Sequence, residues 1–367
     1  MRTHQAVAIV LRDRPGAVST EAADVNNAGT VVGTSGGQPV HWDAAGTVTT
    51  LGGLPEGWEG GATKITDSGF TLGEGTNGMH VWRALLWNRR GHPIELGNPS
   101  WSTRTWANDV NNAGTTVGRA EDVDGVPRAV RWDRRGRITE LPLLPGGSSS
   151  DAVAVDESGT AVGFSATTVE GVPVLHAVRW EASGRITDLG PVAGCPNSRA
   201  LHVDDAGTTV GCVWRTSSGP GVPVEWTSHG HGVTLVLPDD VVSAVTTGMN
   251  GEGVVIGTAS LAGGRATRAV RWDRWGRGVL LDLPPGALSA STSALNRDGI
   301  VVGSAEWPAP GLAVSRAVRW DRAGDIVELG VPLGDWSRAT GVNDRGLICG
   351  VAGTTTPPGT HGVLWRH

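Results

Sequence analysis

The chain has 367 residues, 56 of them glycine and 16 tryptophan, no tyrosine, and a formal net charge of −6. Arg and Asp are interspersed with no basic stripe of the kind a phosphate backbone requires, which argues against nucleic acid as a partner. The longest uncharged apolar run near the start, residues 6–11, is too short for a membrane span or for the apolar region of a secretory leader, so no membrane association is expected and the expected location is cytoplasmic.

Residues 6–11, AVAIVL, read as a β-strand with no local partner. Residues 5–26 align without a gap to the end of one repeat and the start of the next: Leu11 falls on Leu141, Pro15 on Pro145, Gly16 on Gly146 and Ala22 on Ala152. The run is therefore a fourth strand whose first three strands lie elsewhere in the chain.

The unit it belongs to is clearest at residues 107–147. Asn111-Asn112-Ala113-Gly114 is a turn between two β-branched runs, and Asp133-Arg134-Arg135-Gly136 is a second turn between RAVRW and RITEL. A closing glycine lets each turn adopt positive φ, and the opening Asn or Asp can bond its own backbone two residues on. Three markers count the copies. Turn glycines stand at Gly29, Gly69, Gly114, Gly159, Gly207, Gly253, Gly299 and Gly346, and four residues after each comes another glycine, from Gly33 to Gly350. The third strand ends on tryptophan each time: Trp42, Trp87, Trp132, Trp180, Trp226, Trp272, Trp320 and Trp365. A four-stranded unit repeated eight times at 40 to 48 residues predicts an all-β chain folded as a single eight-bladed β-propeller domain over residues 1–367, since one small sheet cannot bury both faces until neighbours stack on it.

The chain ends at HGVLWRH, just after the third strand of the eighth unit. The N-terminal strand at residues 6–11 supplies the fourth, so the last blade joins the two ends and removes two open sheet edges.

From each marker tryptophan to the next turn glycine is 27 residues in six intervals and 26 in the seventh, whereas the segment from second-strand glycine to tryptophan varies from 9 to 17. Insertions therefore collect in the loops between second and third strands. These loops emerge with the blade-to-blade links on one face, the loop face, which is the expected site of function on a rigid scaffold. The non-marker tryptophans agree: Trp58, Trp101, Trp106 and Trp336 lie in links, Trp82, Trp214 and Trp307 lie in or beside the variable loops, and only Trp275 lies in a tight turn. Exposed aromatics gathered on one face indicate a binding surface or pocket lining, and the competing explanation is that they cover the open ends of blades.

A second set comes from the innermost strand, whose equivalent positions ring the central channel. Two residues before each turn opens stand Asp24, Lys64, Asp109, Ala154, His202, Gly248, Ala294 and Gly341, and three residues earlier are Trp106, Arg199 and Arg338. Packing alone would favour one residue type throughout, so the broken symmetry points to a site. His202, Asp109 and Asp24 are the candidate catalytic residues, because His can carry a proton near neutrality and carboxylates can act as acid or base. Lys64, Trp106, Arg199, Arg338, Trp58, Trp101, Trp214, Trp307 and Trp336 are the candidate ligand-binding residues. The structural explanation is a solvated channel whose charges pair with one another.

Other motif matches fail on context. Gly73 to Gly78 fits the dinucleotide pattern but leads into no helix, Gly33 to Gly37 lacks the strand-to-helix setting of a hydrolase elbow, and Asp122 to Gly125 lacks the remaining ligands of a calcium loop. No metal or nucleotide cofactor is implied. The three cysteines, Cys195, Cys212 and Cys349, are expected as free thiols, Cys349 buried within a strand.

The segments VNNAGTVVG, VNNAGTTVG and VNDRGLICG, each associated with an AVxW strand and an xITxL strand, resemble the HAF-type repeats of bacterial proteins often described as probable extracellular repeat proteins. The resemblance covers the whole chain and implies the repeat fold, with no shared catalytic set; an N-terminus without a secretory pattern departs from the extracellular label. Two functional classes remain open. Either the channel mouth binds a small organic molecule in a tryptophan-lined pocket, with or without a cofactor-free cyclisation, isomerisation, elimination or hydrolysis, or the disc is a protein-interaction scaffold whose tryptophans anchor a partner on the loop face.

Overall fold

The computed structural model describes residues 7–78, 81–216, 221–264, 266–309, 313–355 and 358–366. These residues form strands and turns without a helix, and pair into eight four-stranded antiparallel sheets arranged as a ring. The chain is an eight-bladed β-propeller.

Blade 3 shows how the sequence makes the unit. Its strands Arg104–Val110, Thr116–Glu121, Pro127–Trp132 and Ile138–Glu140 follow one another from the channel outward. Asn111 opens the first turn, its Oδ1 accepting the N–H groups of Ala113 at 3.1 Å and Thr115 at 2.9 Å, and Gly114 closes it at φ 82°. The marker glycine of the second strand, Gly118, has a different reason. The carbonyl oxygen of Trp106 lies where its Cβ would be, and the same overlap recurs at Gly33, Gly73, Gly163, Gly211, Gly257, Gly303 and Gly350. That close approach accompanies a bulge in every innermost strand, as between Ala107 and Asp109. A bulge re-aims the residue after it, which places Asp109 and its seven equivalents on the ring that faces the channel.

The core lies in wedges between neighbouring blades. Phe70, Leu72 and Leu86 of blade 2 pack with Val110, Val130 and Trp132 of blade 3, and the other clusters repeat this pairing around the ring. All eight marker tryptophans are fully buried. Seven donate Nε1–H to a carbonyl of the link entering their blade, as Trp132 does to Gly97 at 2.7 Å, while Trp226 finds no partner among the described residues. Truncating one of these rings to alanine would cost about 3–5 kcal/mol.

A second joint runs along the turn face. Asn26, Asn111, Asn250, Asn296 and Asn343 each donate Nδ2–H to the carbonyl of the equivalent residue in the next blade, and the Asn343 bond to Asn26 at 2.8 Å crosses the closure. At the closure the strand Val7–Val10 pairs in register with Val363 to Arg366, and Leu11 N–H continues the ladder to Gly362 O at 2.8 Å. Ala6 lies outside the described residues. Cys195 and Cys349 are buried, Cys212 is half-buried, and all three are free thiols. Burial, reinforced by the charge of Asp24, pushes the Cys349 thiol up to about 12, so it is chemically inert.

Removing residues 1–11 deletes the outer strand of blade 8 together with Leu11, which is 2 % exposed and packs on Val25 and Trp42. The truncated protein is expected to melt at least about 5 °C lower or to aggregate through its bared edge. An unchanged melting temperature would show that this strand does not close the ring.

Candidate functional site

The eight residues placed on the channel ring are of two kinds: Asp24, Lys64 and Asp109 stand on consecutive blades with His202 across the channel, and the other four are small. Blades 1, 2, 3 and 5 contribute Asp24, Lys64, Asp109 and His202, and blades 4, 6, 7 and 8 contribute Ala154, Gly248, Ala294 and Gly341. The four ionisable groups act on one another. Lys64 Nζ is ion-paired with Asp109 Oδ1, reaching from blade 2 to blade 3, and also feels Asp24. His202 senses both Lys64 and Asp109 from blade 5.

Each carboxylate has a second task. Asp24 accepts the N–H of Val25 at 2.8 Å and, across the blade boundary, that of Ile65 at 3.0 Å. Asp109 does the same with Val110 and Val155, both at 2.9 Å. These carboxylates therefore clasp the next blade's innermost strand, and His202 likewise bonds the Thr246 backbone on the next blade, whereas Lys64 bonds the side chain of Asp109.

Burial raises the Asp24 carboxyl above the ordinary carboxylate range, with the Ile65 N–H and Lys64 opposing. Burial alone would lower the Lys64 ammonium, but the contact with Asp109 more than reverses this and the net shift is upward, so Lys64 stays charged. Burial lowers the His202 imidazole below 6.5; a hydrogen bond to the Thr246 backbone opposes and the Lys64 charge adds to the fall. His202 is thus neutral at pH 7 and able to take up a proton. Its depressed value means that the stability it contributes is present above pH 6.5 and is lost as the pH falls through its folded value, because the unfolded chain protonates first.

A second cluster lies three residues along the same strands, toward the loop face. The Asp151 carboxylate, with a side chain only 4 % exposed, accepts from Arg119 at 3.1 Å and from Asn108 at 2.7 Å, with Arg199 at 3.9 Å. Arg119 stacks over Trp106 at 4.6 Å and Arg199 over Phe164 at 4.9 Å. Burial raises the Asp151 carboxyl despite both arginines. Asp151 occupies on blade 4 the position that Trp106, Arg199 and Arg338 hold on theirs, but neither it nor Arg119 was among the candidate site residues. Their signal lay in the pairing register, which sets Trp106 opposite Arg119 and Asp151 opposite Phe164. Arg338 stands exposed at the same level on blade 8.

The remaining tryptophans do not converge. Trp58 lies under Arg83 at 5.5 Å, Trp101 under Arg128 at 5.5 Å and Trp307 under Arg316 at 5.4 Å, three arginines at one repeat position on three different blades. Trp214 ends the second strand of blade 5 and Trp336 starts the first strand of blade 8, where its ring packs over Gly353. Of the tryptophans named as pocket lining, the structure sets Trp106 beside the channel cluster, while Trp58, Trp101 and Trp307 cap blade ends around the rim. The cavity that contains Lys64, about 270 Å³, opens between the tight turns, bordered by Asn26, Asn111, Glu157 and Asn343. The loop face was the expected mouth; the bulge instead seats the charged ring next to the turns. Larger cavities of about 560 Å³ and 620 Å³ lie away from this ring, on blade 2 and between the turns of blades 6 and 7.

Neither the family models nor the curated proteins match the chain. Solved structures share its shape. A prolyl endopeptidase is 8% identical over 95% of this chain and 54% of its own, with a TM-score of 0.61. An oligogalacturonate lyase in complex with manganese is 11% identical over 99% of this chain and 98% of its own, TM-score 0.55. A puromycin hydrolase is 14% identical over 94% of this chain and 62% of its own, TM-score 0.53. At such identities the likeness shows the fold alone.

An NMR titration of the imidazole tests the geometry of the ring. His202 should titrate below 6.5 in the folded protein, and Lys64→Met should move it upward by removing a facing positive charge. A value that does not respond to Lys64→Met would mean that the two side chains do not share the channel.

Proposed function

We propose that the channel binds a small organic molecule among its ionisable side chains, with Lys64 holding an anionic or carbonyl-bearing group and His202 carrying a proton. The observation that carries this reading is the make-up of the ring: four interacting ionisable side chains share it with four residues no larger than alanine, which leaves room beside the charges rather than filling it. Lys64 is kept charged by Asp109 and so binds rather than attacks, and His202, neutral because burial lowers its imidazole, is the group free to take up a proton. Trp106, with Arg119 stacked on its face, forms the apolar wall toward the loop side, with Arg199 and Arg338 at the same level.

Where a reaction accompanies binding, these residues suit a cofactor-free proton transfer, as in a cyclisation, isomerisation, elimination or hydrolysis. The similar structures include an oligogalacturonate lyase and a puromycin hydrolase, the second matched over 62% of its own chain; they are compatible with an enzymatic reading without assigning a reaction to this chain. The scaffold reading has its own support in the rim tryptophans and in Trp275, 67 % exposed on a tight turn.

Calorimetric screening of small carboxylates and carbonyl compounds against the wild type and three variants separates the two readings. A compound that binds the wild type should lose at least about tenfold in affinity with Lys64→Ala, equivalent to about 1.4 kcal/mol. Trp106→Ala should weaken binding without altering its pH dependence, and His202→Ala should bind but fail to turn over. Folded variants that all bind like the wild type would move the function out of the channel.

A further inference from the structure

The outer edge of blade 2 is built differently from the other seven. In each of those, the carbonyl in the middle of the third strand accepts an N–H from the leucine that ends the fourth strand or comes just after it: Leu51 to Pro39, Leu141 to Ala129, Leu189 to Ala177, Leu235 to Pro223, Leu281 to Ala269, Leu329 to Ala317 and Leu11 to Gly362, at 2.8 to 2.9 Å. The equivalent bond in blade 2, Leu96 to Ala84, is not made. Its fourth strand is only Pro93–Ile94, pairing with Trp87 and Leu86, whereas most blades extend that ladder by one more pair. The chain after Ile94 leans on blade 3, where Gly97 N–H donates to Gly136 O at 2.9 Å.

The other polar group of Ala84 is also released. In blade 3 the matching amide, Ala129 N–H, donates to Ser150 Oγ at 2.9 Å, and blades 4 and 7 repeat this with Ser198 and Ser337. The residue equivalent to Ser150 for blade 2 is Thr105, and its hydroxyl bonds Asn98 Oδ1 at 3.2 Å instead. Among the described hydrogen bonds none reaches the outward N–H or C=O of Ala84, although the residue is only 6 % exposed. Buried backbone groups in this condition are rare and call for a partner.

The two groups face a cavity of about 560 Å³, lined by Leu54, Trp58, Leu85, Ile94 and Leu96, with Arg83 and Glu95 among its polar residues. The size and the apolar wall are those of a ligand pocket. What distinguishes it is the N–H and C=O of one residue presented side by side on a strand edge, a pattern that an extended backbone matches by pairing as an added strand.

We propose that this edge of blade 2 binds a short extended peptide with apolar side chains, which takes the place the fourth strand occupies in the other blades. The central residue of the peptide donates its N–H to Ala84 O and accepts from Ala84 N–H. Its neighbours set apolar side chains among Leu54, Leu85 and Leu96. Arg83, held over Trp58, walls one side.

The test uses the capped tripeptide acetyl-Leu-Val-Leu-amide as probe, with the same peptide N-methylated at valine and the protein variant Ala84→Pro. The repeat itself shows that proline is tolerated at this position, because Pro39 and Pro223 occupy it in blades 1 and 5. The variant therefore removes the donor while leaving the fold. Isothermal titration of the wild type should give saturable binding, weakened at least tenfold by Ala84→Pro and also by N-methylation of the probe. Exchange of the Ala84 amide hydrogen should be fast in the free protein and slowed by the peptide. Absence of saturable binding overturns the proposal. So does an N-methylated probe that binds the wild type as well as its parent, since the site would then be an apolar pocket that does not read backbone.

Discussion

The structure depends on one steric fact repeated eight times: the carbonyl of an innermost-strand residue presses on the α-carbon of a second-strand glycine so closely that no Cβ fits between them. That approach dictates the rest of the blade. The innermost strand takes up its extra residue as a bulge at this point, the residue after the bulge is turned to the channel, and the chain then enters the turn with its opening Asn pointed at the next blade. Any side chain at Gly118 would push the two strands apart and, through them, shift Asp109 and the Asn111 joint together. The position of the channel residues is thus a consequence of backbone packing in each blade, set before any interaction among the charges themselves.

The joints between blades show how the ring copes where the repeated residue is missing. An asparagine can donate to the next blade and accept within its own turn, so it satisfies two sets of buried backbone groups at once. Blade 2 has Thr66 at that position, whose hydroxyl is engaged within its own turn; there Ser68 bridges to blade 3, its N–H and Oγ bonding Asn112 Oδ1 and O at 2.8 and 2.7 Å. Blade 4 has Asp156, an acceptor only; Glu157 N–H bonds Asp205, and Arg179 reaches Gly207 and Ser228 of blade 5. The substitutes differ because each neighbouring turn offers different groups.

The repeat was legible because its markers are local and chemically forced: a turn glycine at positive φ, a glycine under a carbonyl, a tryptophan filling a wedge. The closure was legible from the alignment of Leu11 with Leu141, which in the structure occupy the same place. The candidate site was legible only in part. Counting back from the turn located Asp24, Lys64, Asp109 and His202, but it could not show that Asp24 and Asp109 also grip the next blade, because those bonds run to backbone N–H groups that every sequence has. The loop-side cluster around Asp151 depends on which residues lie opposite each other, and the register that sets this contains a bulge. The open edge of blade 2 is harder still to read. Leu96 is present in sequence, and what is missing is a bond, lost as Glu95 and Gly97 turn toward Gly136.

Stability alone does not account for the charges in the channel. The Lys64 side chain is 45% exposed, so its pair with Asp109 is partly screened by solvent and contributes little to folding. Where charges are more buried, as at Asp24, removing them from water costs more than their contacts return, which is why burial raises that carboxyl despite Lys64 and two N–H donors. The same ring supplies the comparison: blades 4, 6, 7 and 8 place alanine or glycine at the equivalent position, and the Asn250, Asn296 and Asn343 bonds hold the joints after blades 6, 7 and 8 without any carboxylate clasp. Since the ring closes with a bare residue at four of these positions as it does with an ionised one at the other four, closure by itself does not require the charges.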